Sequence, residues 1–240
     1  KVPLTFAPVS DAPVPSNYVI GPGDTVNILF FGKKSIDFSQ QVARDGNLKI
    51  PELGPVSVAG LTFTELKANI NERIANQMVG VKVSISLGEL RSIRVFVLGD
   101  VEKPGSYTVN SLSTLTNAIF ASGGITRIGT LRDIQLKRNG KIISHFDLYD
   151  LLLRGDTSSD RRLLPGDVVF VPPIGSTVGI LGEVRRPAIY ELKKDRKNLS
   201  AIITTAGGAS PNAKISAIMI KSVNSIDGIS ATQVNLATAS

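Results

Sequence analysis

The amino-acid sequence predicts an α+β fold built from three modules, of which the third is a copy of the second. Three observations support this fold class. Short segments that alternate apolar and polar residues, typical of half-buried strands, recur along the chain. The segment 62–77 has the apolar spacing and the N-terminal signature of a helix. From about residue 91 onward, the sequence repeats itself with an offset of 83 to 84 residues.

The chain begins with a proline-rich segment, residues 1–16, which carries four prolines. Proline fixes the backbone and removes the amide donor that a helix needs, so this density favours an extended, semi-rigid linker. We therefore place the first folded module at residues 17–90.

The first module is predicted to open with a tight turn and a strand. Pro22 presets φ for a type II turn, and Gly23 supplies the positive φ that the next position requires. A strand over 26–31 follows. The pair Asp45-Gly46 predicts a hairpin turn before a short strand over 48–50.

The helix of the first module has a complete start signal. Thr62 and Glu65 form a T-x-x-E capping box. Apolar residues then recur at helical spacing, namely Phe63, Leu66, Ile70 and Ile74. The pattern predicts a helix that ends near Gln77, followed by an alternating strand over 81–87.

The internal repeat predicts that the second module, residues 91–174, and the third, residues 175–240, share one fold. The matched segments are 95–107 with 178–190, 115–124 with 199–208, and 134–137 with 218–221. A register held this closely over more than forty positions is unlikely to arise by chance.

Each repeat reads as a strand, a tight turn, a strand, a short helix and a hairpin. The helices are predicted to stop at Gly123 and Gly207, in the left-handed position after a helix. The hairpin turns are predicted at Asn139-Gly140 and Asp227-Gly228.

The second module is predicted to finish with two further elements. Asp147 is placed to cap a short helix that stops at Gly155, and a strand over 168–171 closes the module. The third module lacks a counterpart of that closing strand before Ser240. We therefore expect the repeat to be incomplete and the parent sequence to continue.

Composition excludes several classes of site. The chain has no cysteine, which excludes disulfides, thiolate metal ligands and cysteine nucleophiles.

The formal charge is +7 and the pI about 9.7, which fits either a solvated basic surface or attraction to an anionic glycan or lipid headgroup. Nucleic acid is disfavoured, because the basic residues are scattered and no tryptophan offers a stacking surface. The longest uncharged stretch, 105–126, is too polar for a transmembrane helix.

The sequence predicts no catalytic, cofactor or metal site. Asp24 and Asp167 both follow Pro-Gly and precede strands, where Asp is a natural turn residue, and they lie in separate modules. His145 is the only histidine and has no evident nucleophile to activate. The glycine pairs 123–124 and 207–208 follow helices, whereas a phosphate-binding loop places its glycines before one.

One cluster of basic residues is the candidate ligand contact. Arg185 and Arg186 lie at a predicted hairpin tip, and Lys193 and Lys194 follow shortly after. These four are possible glycan contacts. The alternative is a solvated tip, since the equivalent position of the second module holds Glu102-Lys103 and the turn does not require a basic pair.

The ordered motifs resemble those of the outer-membrane polysaccharide export protein family. The first module resembles a polysaccharide export domain, on the segments YVIGPGD (18–24), VARDG (42–46), IPELG (50–54) and VSVAG (56–60). The later modules resemble SLBB domains, through the opening V-x-V-x-G-x-V-x-x-P-G-x-Y and the A-G-G helix stop. Ala188 replaces the usual Gly in the third module, and Ser122 replaces Ala in the second.

The resemblance implies β-grasp-like SLBB repeats and a non-catalytic role in exporting capsular polysaccharide or exopolysaccharide. It implies a periplasmic homo-oligomer stacked as rings around a conduit, working with an inner-membrane polysaccharide co-polymerase. Attachment to the outer membrane would come from segments outside this chain, and no cofactor is implied.

Two other classes of function stay open. One is a periplasmic module that binds or senses glycan. The other is an enzyme acting on glycans, which needs two carboxylates converging in one cleft, and the sequence offers no such pair.

Overall fold

The computed structural model describes residues 13–32, 35–78, 80–193, 198–224 and 228–236. Within these residues the chain has an α+β fold of four helices and fourteen strands. It divides into two compact units. The first comprises residues up to 97 together with 105–123 and 160–169, and the second comprises 98–104, 124–159 and the residues from 170 onward.

The elements follow the chain in an order that alternates short strands with single helices. Up to the first helix of the repeats they are β1 (Thr25–Gly32), β2 (Ile36–Gln41), β3 (Asn47–Ile50), β4 (Gly54–Ser57), α1 (Phe63–Gln77), β5 (Val81–Leu87), β6 (Ser92–Gly99), β7 (Gly105–Asn110) and α2 (Leu115–Ala121). The remaining elements are β8 (Ile134–Arg138), β9 (Lys141–Phe146), α3 (Leu148–Arg154), β10 (Val168–Val171), β11 (Thr177–Ile180), β12 (Ala188–Glu191), α4 (Leu199–Thr205), β13 (Ile218–Asn224) and β14 (Gly228–Val234).

A three-stranded antiparallel sheet of order β2-β1-β5 forms the base of the first unit. Alternate residues of β1 point inward, so that Val26 and Ile28 are fully buried. Helix α1 contributes Leu66, Ile70 and Ile74 to the same apolar core. The predicted strands over 26–31 and 81–87 are confirmed.

The predicted start of α1 is confirmed in atomic detail. Thr62 Oγ1 accepts a hydrogen bond from the Glu65 amide at 3.2 Å, and Glu65 Oε2 accepts one from the Thr62 amide at 2.7 Å. Two amides at the helix start that lack helical partners are thereby satisfied. The helix ends at Gln77, as its apolar spacing predicts.

The predicted hairpin across Asp45-Gly46 is wrong, although the turn itself is present. Among the described residues, β3 pairs antiparallel with β4 and has no ladder with β2. Gly46 has φ +80 and donates to the Ala43 carbonyl at 2.9 Å. Asp45 accepts the Asn47 amide at 3.0 Å in a local Asx turn, and the Ala43 amide donates to the Asn47 carbonyl at 2.9 Å. Beyond this bond, the described residues of β2 and β3 form no ladder. The hairpin reversal lies instead near Glu52, which has φ +66.

The two repeats form the same hairpin in the same register. Val95 lies opposite Tyr107 between β6 and β7, and Val178 lies opposite Tyr190 between β11 and β12. Helices α2 and α4 occupy equivalent positions, and each is followed by a glycine pair with positive φ. The predicted helix stops at residues 123 and 207 are therefore confirmed.

The later elements of the second module also follow the prediction. Asn139 and Gly140 have φ of +50 and +76 and connect β8 to β9. Asp147 caps α3 by accepting the Tyr149 amide at 3.0 Å, and Gly155 ends that helix with φ +68. Strand β10 forms where the closing strand is predicted. The predicted turn residue Asp227 lies outside the described residues.

The two repeats differ in how their strands are joined into sheets. Strands β6 to β10 form a sheet of order β7-β6-β10-β8-β9, whereas β11–β12 and β13–β14 are separate two-stranded sheets. Among the described residues, no strand of the third module takes the position of β10. Side chains at equivalent positions therefore differ in burial: Leu136 is 1% exposed, and Ile220, 84 residues later, is 40% exposed.

Candidate functional site

Asp24 and Asp167 occupy equivalent turns and are both fully buried. Each carboxylate accepts the backbone amide three residues earlier: Gly21 at 2.9 Å for Asp24, and Leu164 at 2.8 Å for Asp167. The Pro-Gly-Asp segment is thus a turn fixed by its own aspartate, in agreement with the structural role expected from the sequence.

Asp24 is also the centre of a buried polar network in the first unit. Its carboxylate accepts the Tyr18 hydroxyl at 2.7 Å and the Arg91 amide at 2.9 Å, and it forms an ion pair with the Arg91 guanidinium. The Tyr18 hydroxyl lies 2.6 Å from Ser111 Oγ. Burial raises the pKa of Tyr18, so this phenol stays protonated. The network joins three parts of the chain, residues 18–24, Arg91 and Ser111, and so stabilises the fold of the first unit.

His145 lies on β9 and is more than half exposed. Its Nδ1 is 2.5 Å from Asp133 Oδ1, which makes a simple surface pair. Over the described ranges, no group of three or more His, Cys, Asp or Glu side chains could hold a metal ion.

An open groove in the second unit lies between α3 and α4, and we call it the α3–α4 groove. Its main cavity has a volume of about 630 Å³, which is within the usual range of ligand pockets, roughly 300–1,000 Å³. A smaller cavity of about 100 Å³ adjoins it and shares part of its lining. The main cavity is lined by Arg132, Tyr149, Asp150, Leu153, Arg154, Arg186, Asn198, Ser200, Ala201, Thr204 and Thr205.

Arg132 lines both cavities and is held by three contacts. Its Nε donates to the Glu191 carbonyl at 2.7 Å, and its Nη1 contacts Asp147 at 3.1 Å. The guanidinium also stacks over the Tyr149 ring at 3.9 Å from the ring centroid. Because these partners fix the side chain from three directions, Arg132 positions α3 against β12.

Glu191 is a buried carboxylate that joins three chain segments of the second unit. It accepts the Thr130 hydroxyl at 2.6 Å, the Leu131 amide at 2.8 Å and the Gly175 amide at 3.0 Å. Its own amide donates to the Tyr149 hydroxyl at 3.0 Å. Protein donors therefore take the place of water around this buried carboxyl group.

The structure brings two of the four predicted glycan contacts to this groove. Arg186 lines the main cavity and donates through Nη2 to the Thr205 carbonyl at 3.2 Å. Lys193 lines the smaller cavity and lies 3.5 Å from Asp147. Arg185 is exposed and lines neither cavity. Lys194 lies outside the described residues.

Sequence reasoning missed the residues that α3 and the preceding loop contribute. Arg154 is two-thirds exposed and pairs with Asp150 at 3.0 Å, four residues earlier on the helix. The spacing of that pair is readable from the sequence. That it lines one cavity together with Arg186 is not, because the two arginines are 32 residues apart and share a lining only in the tertiary fold.

The lining of the main cavity has an excess of positive charge. It carries three arginines, at positions 132, 154 and 186, against a single carboxylate, Asp150. The hydroxyl-bearing residues Ser200, Thr204 and Thr205 of α4 also line the cavity. The arrangement suits an anionic, hydroxyl-rich ligand, and it offers no pair of free carboxylates for acid–base chemistry within the described residues.

Family comparisons account for most of the chain. A family model described as polysaccharide biosynthesis/export protein matches residues 12–88. Models of the SLBB domain match residues 93–171 and 177–228.

Two relatives are similar over about three quarters of the chain. Polysialic acid transport protein KpsD of Escherichia coli is 30% identical over 180 residues, which cover 74% of this chain and 32% of that protein. EPS I polysaccharide export outer membrane protein EpsA of Ralstonia nicotianae is 32% identical over 192 residues, covering 79% of this chain and 50% of that protein. The chain thus spans a third to a half of the length of these relatives. None of the helices in the described ranges is long and apolar enough to cross a membrane.

Proposed function

Because the chain belongs to the outer-membrane polysaccharide export protein family, with one export domain followed by two SLBB domains, we propose that it is a non-catalytic component of a conduit for capsular polysaccharide or exopolysaccharide. The observation that carries this proposal is the order of the three domains in one chain. The two relatives described above are named for polysaccharide transport and export.

A passive role fits the chemistry of the buried acidic groups. Asp24 and Glu191 each accept several hydrogen bonds from protein donors, and Asp167 fixes its own turn. These carboxylates are buried and already accept hydrogen bonds from the protein, so they are not presented to a substrate. We therefore propose that the chain guides polysaccharide without cleaving it.

Assembly into a homo-oligomer is the second part of the proposal. The hairpin β11–β12 and its turn carry Leu181 and Ile189, which are 87% and 75% exposed. Large apolar side chains exposed close together favour contact with another protein surface. We propose that other copies of the chain and an inner-membrane polysaccharide co-polymerase are the partners, in the periplasm at the outer membrane. Native mass spectrometry of the full-length protein in detergent should give a closed oligomer, and a strict monomer at every concentration would refute this part.

The contact with polysaccharide is proposed at the basic residues of the second unit. Arg186 and Lys193 line the α3–α4 groove and its smaller neighbour, which supports their role. Arg185 and Lys194 stay predictions from the sequence.

The export role is tested by deleting the gene in the source bacterium. Polysaccharide should disappear from the cell surface and accumulate inside the envelope, and a plasmid copy should restore it. Unchanged surface polysaccharide in the deletion strain would overturn the proposal.

The basic groove also favours a second candidate, a glycan-binding or sensing module. The two functions differ in the fate of the polymer. A sensor is expected to change the total amount of polysaccharide that the deletion strain synthesises, whereas a conduit component changes its location.

A further inference from the structure

We propose that the α3–α4 groove is a binding site for a carboxylate-bearing sugar unit, with Arg154 and Arg186 contacting the carboxylate and the hydroxyl groups of α4 contacting the sugar. The inference rests on the proposed function in one respect, namely that the exported polysaccharide supplies the ligand. It adds the class of ligand, the residues and a preference for acidic over neutral glycan.

The two arginines are exposed and line the same cavity. Arg154 is 67% exposed and Arg186 is exposed, and both line the main cavity. Each guanidinium presents five N–H donors in a planar fork, which matches the two oxygens of a carboxylate. Asp150 accepts a hydrogen bond from Arg154 Nη1, and Arg186 Nη2 donates to a helix carbonyl. In the part of the chain that the structure describes, these contacts orient the two guanidinium groups and each engages a single N–H donor.

Arg132 has a different role, since its Nε, its Nη1 and the face of its guanidinium are engaged by Glu191, Asp147 and Tyr149. It contributes positive potential and supports the wall of the groove. We class it as a positioning residue and leave it unchanged in the test.

The part of the lining that α4 contributes matches the hydroxyl groups of a sugar. Thr204 Oγ1 donates to the Ser200 carbonyl at 2.8 Å, and Thr205 Oγ1 donates to the Ala201 carbonyl at 2.9 Å. With their protons committed to the helix, both hydroxyl oxygens can act as acceptors. Sugar hydroxyls are abundant donors, so this part of the lining complements a pyranose ring.

The aromatic residues argue against a nucleic acid at this site. Tyr149 has one face covered by the Arg132 guanidinium, and Tyr190 is buried. Single-stranded nucleic acids are held by exposed rings on which successive bases stack. The described lining of the groove lacks such a pair of rings, and its cations and hydroxyls fit an acidic sugar better.

The test is calorimetric titration of the 240-residue chain with tetragalacturonate, with maltotetraose as the neutral probe of equal length. The variant is R154Q/R186Q, and the matched control is R73Q/R127Q, which removes two exposed arginines away from the groove. We expect R154Q/R186Q to weaken tetragalacturonate binding by roughly tenfold or more, and the control to change it less than about twofold. Amide chemical shifts should move on α3 and α4 upon titration, which locates the site independently of the variants.

Several outcomes would overturn the inference. They are equal losses in both double variants, maltotetraose bound as tightly as tetragalacturonate, no binding to the unmodified chain, and inorganic phosphate bound in preference to tetragalacturonate. The last result would assign the groove to a phosphate group. The deletion strain separates the two proposals, because lost export together with an empty groove leaves the proposed function standing and rejects only the ligand site.

Discussion

Replacing Asp24 by alanine removes the centre of the buried network in the first unit. The side chain is fully buried, and its partner Arg91 is 20% exposed. Truncating one member of a buried, hydrogen-bonded ion pair leaves the other charge without compensation, which costs about 3–5 kcal/mol. We expect a loss of this size in the free energy of unfolding of the first unit.

The individual contacts give the same magnitude. Asp24 accepts hydrogen bonds from Tyr18 Oη, the Gly21 amide, the Arg91 amide and the Arg91 guanidinium. A hydrogen bond contributes roughly 0.5–1.5 kcal/mol net, and somewhat more when one partner is charged. Four such contacts, reduced by the relaxation of Arg91 toward solvent, again give several kcal/mol.

The assay is urea unfolding followed by hydrogen exchange of peptides from β1, α1 and β5. With a denaturant slope of about 2 kcal/mol per M, the D24A variant should unfold at a midpoint lower by roughly 1.5–2.5 M. The exposed residue Asp37 supplies the control, and D37A should shift stability by less than about 0.5 kcal/mol. Adding R91A to D24A should cost less than R91A alone, because the unpaired charge is removed. A urea midpoint of D24A equal to that of D37A would refute the stabilising role assigned to Asp24.

Three further predictions follow from the same geometry. A Cβ at Gly99, where φ is +88, would lie 2.1 Å from the Val171 carbonyl oxygen, so G99A should lower the free energy of unfolding by about 3 kcal/mol or more. Gly182 has φ +85 and open space around it, so G182A should lose only about 1–2 kcal/mol through backbone strain. Equal shifts of the melting temperature in the two variants would contradict this comparison. Amides of α4 and β13 should exchange with solvent faster than those of α2 and β8, because the third module covers its strands less completely. Hydrogen bonds from the Thr62 amide and hydroxyl lower the pKa of Glu65. The stability that this cap contributes is therefore fully present above the ordinary Glu pKa of 4.5 and is lost as the pH falls through the lowered pKa. An NMR titration that gives Glu65 a pKa at or above 4.5 would contradict this prediction.

Local structure is the part of the fold that the sequence predicts best. The capping box at Thr62, the asparagine–glycine turn at 139–140 and the left-handed stop at Gly155 each depend on residues within a few positions of one another. Each of these features is stabilised by interactions between neighbouring residues, so the local sequence pattern is sufficient to predict it. The error at Asp45-Gly46 has the complementary cause, since turn chemistry specifies a reversal but does not specify which strands pair on either side of it.

The α3–α4 groove could be predicted only in part. The basic cluster at 185–194 is visible in the sequence, yet its members separate in the structure, with Arg186 and Lys193 at the groove and Arg185 away from it. Arg132 and Arg154 come from another module and line the groove only because the tertiary fold brings α3 and α4 together. Side chains that meet across long sequence separations leave no local periodicity, and one sequence alone gives no other signal for them.

The copies differ at the positions that form the groove, which connects the repeat to the proposed ligand. Positions that build the shared fold keep their character, as in Tyr107 and Tyr190, which have the same strand register. At the groove, Thr204 takes the place of Phe120. Apolar wall positions of one copy have thereby become hydroxyl-bearing positions of the other, while Arg132 has only a serine as its counterpart, at Ser216. Arg132 has a structural role, because it holds α3 against β12, whereas the hydroxyl groups gained on α4 are the difference that the proposed ligand explains.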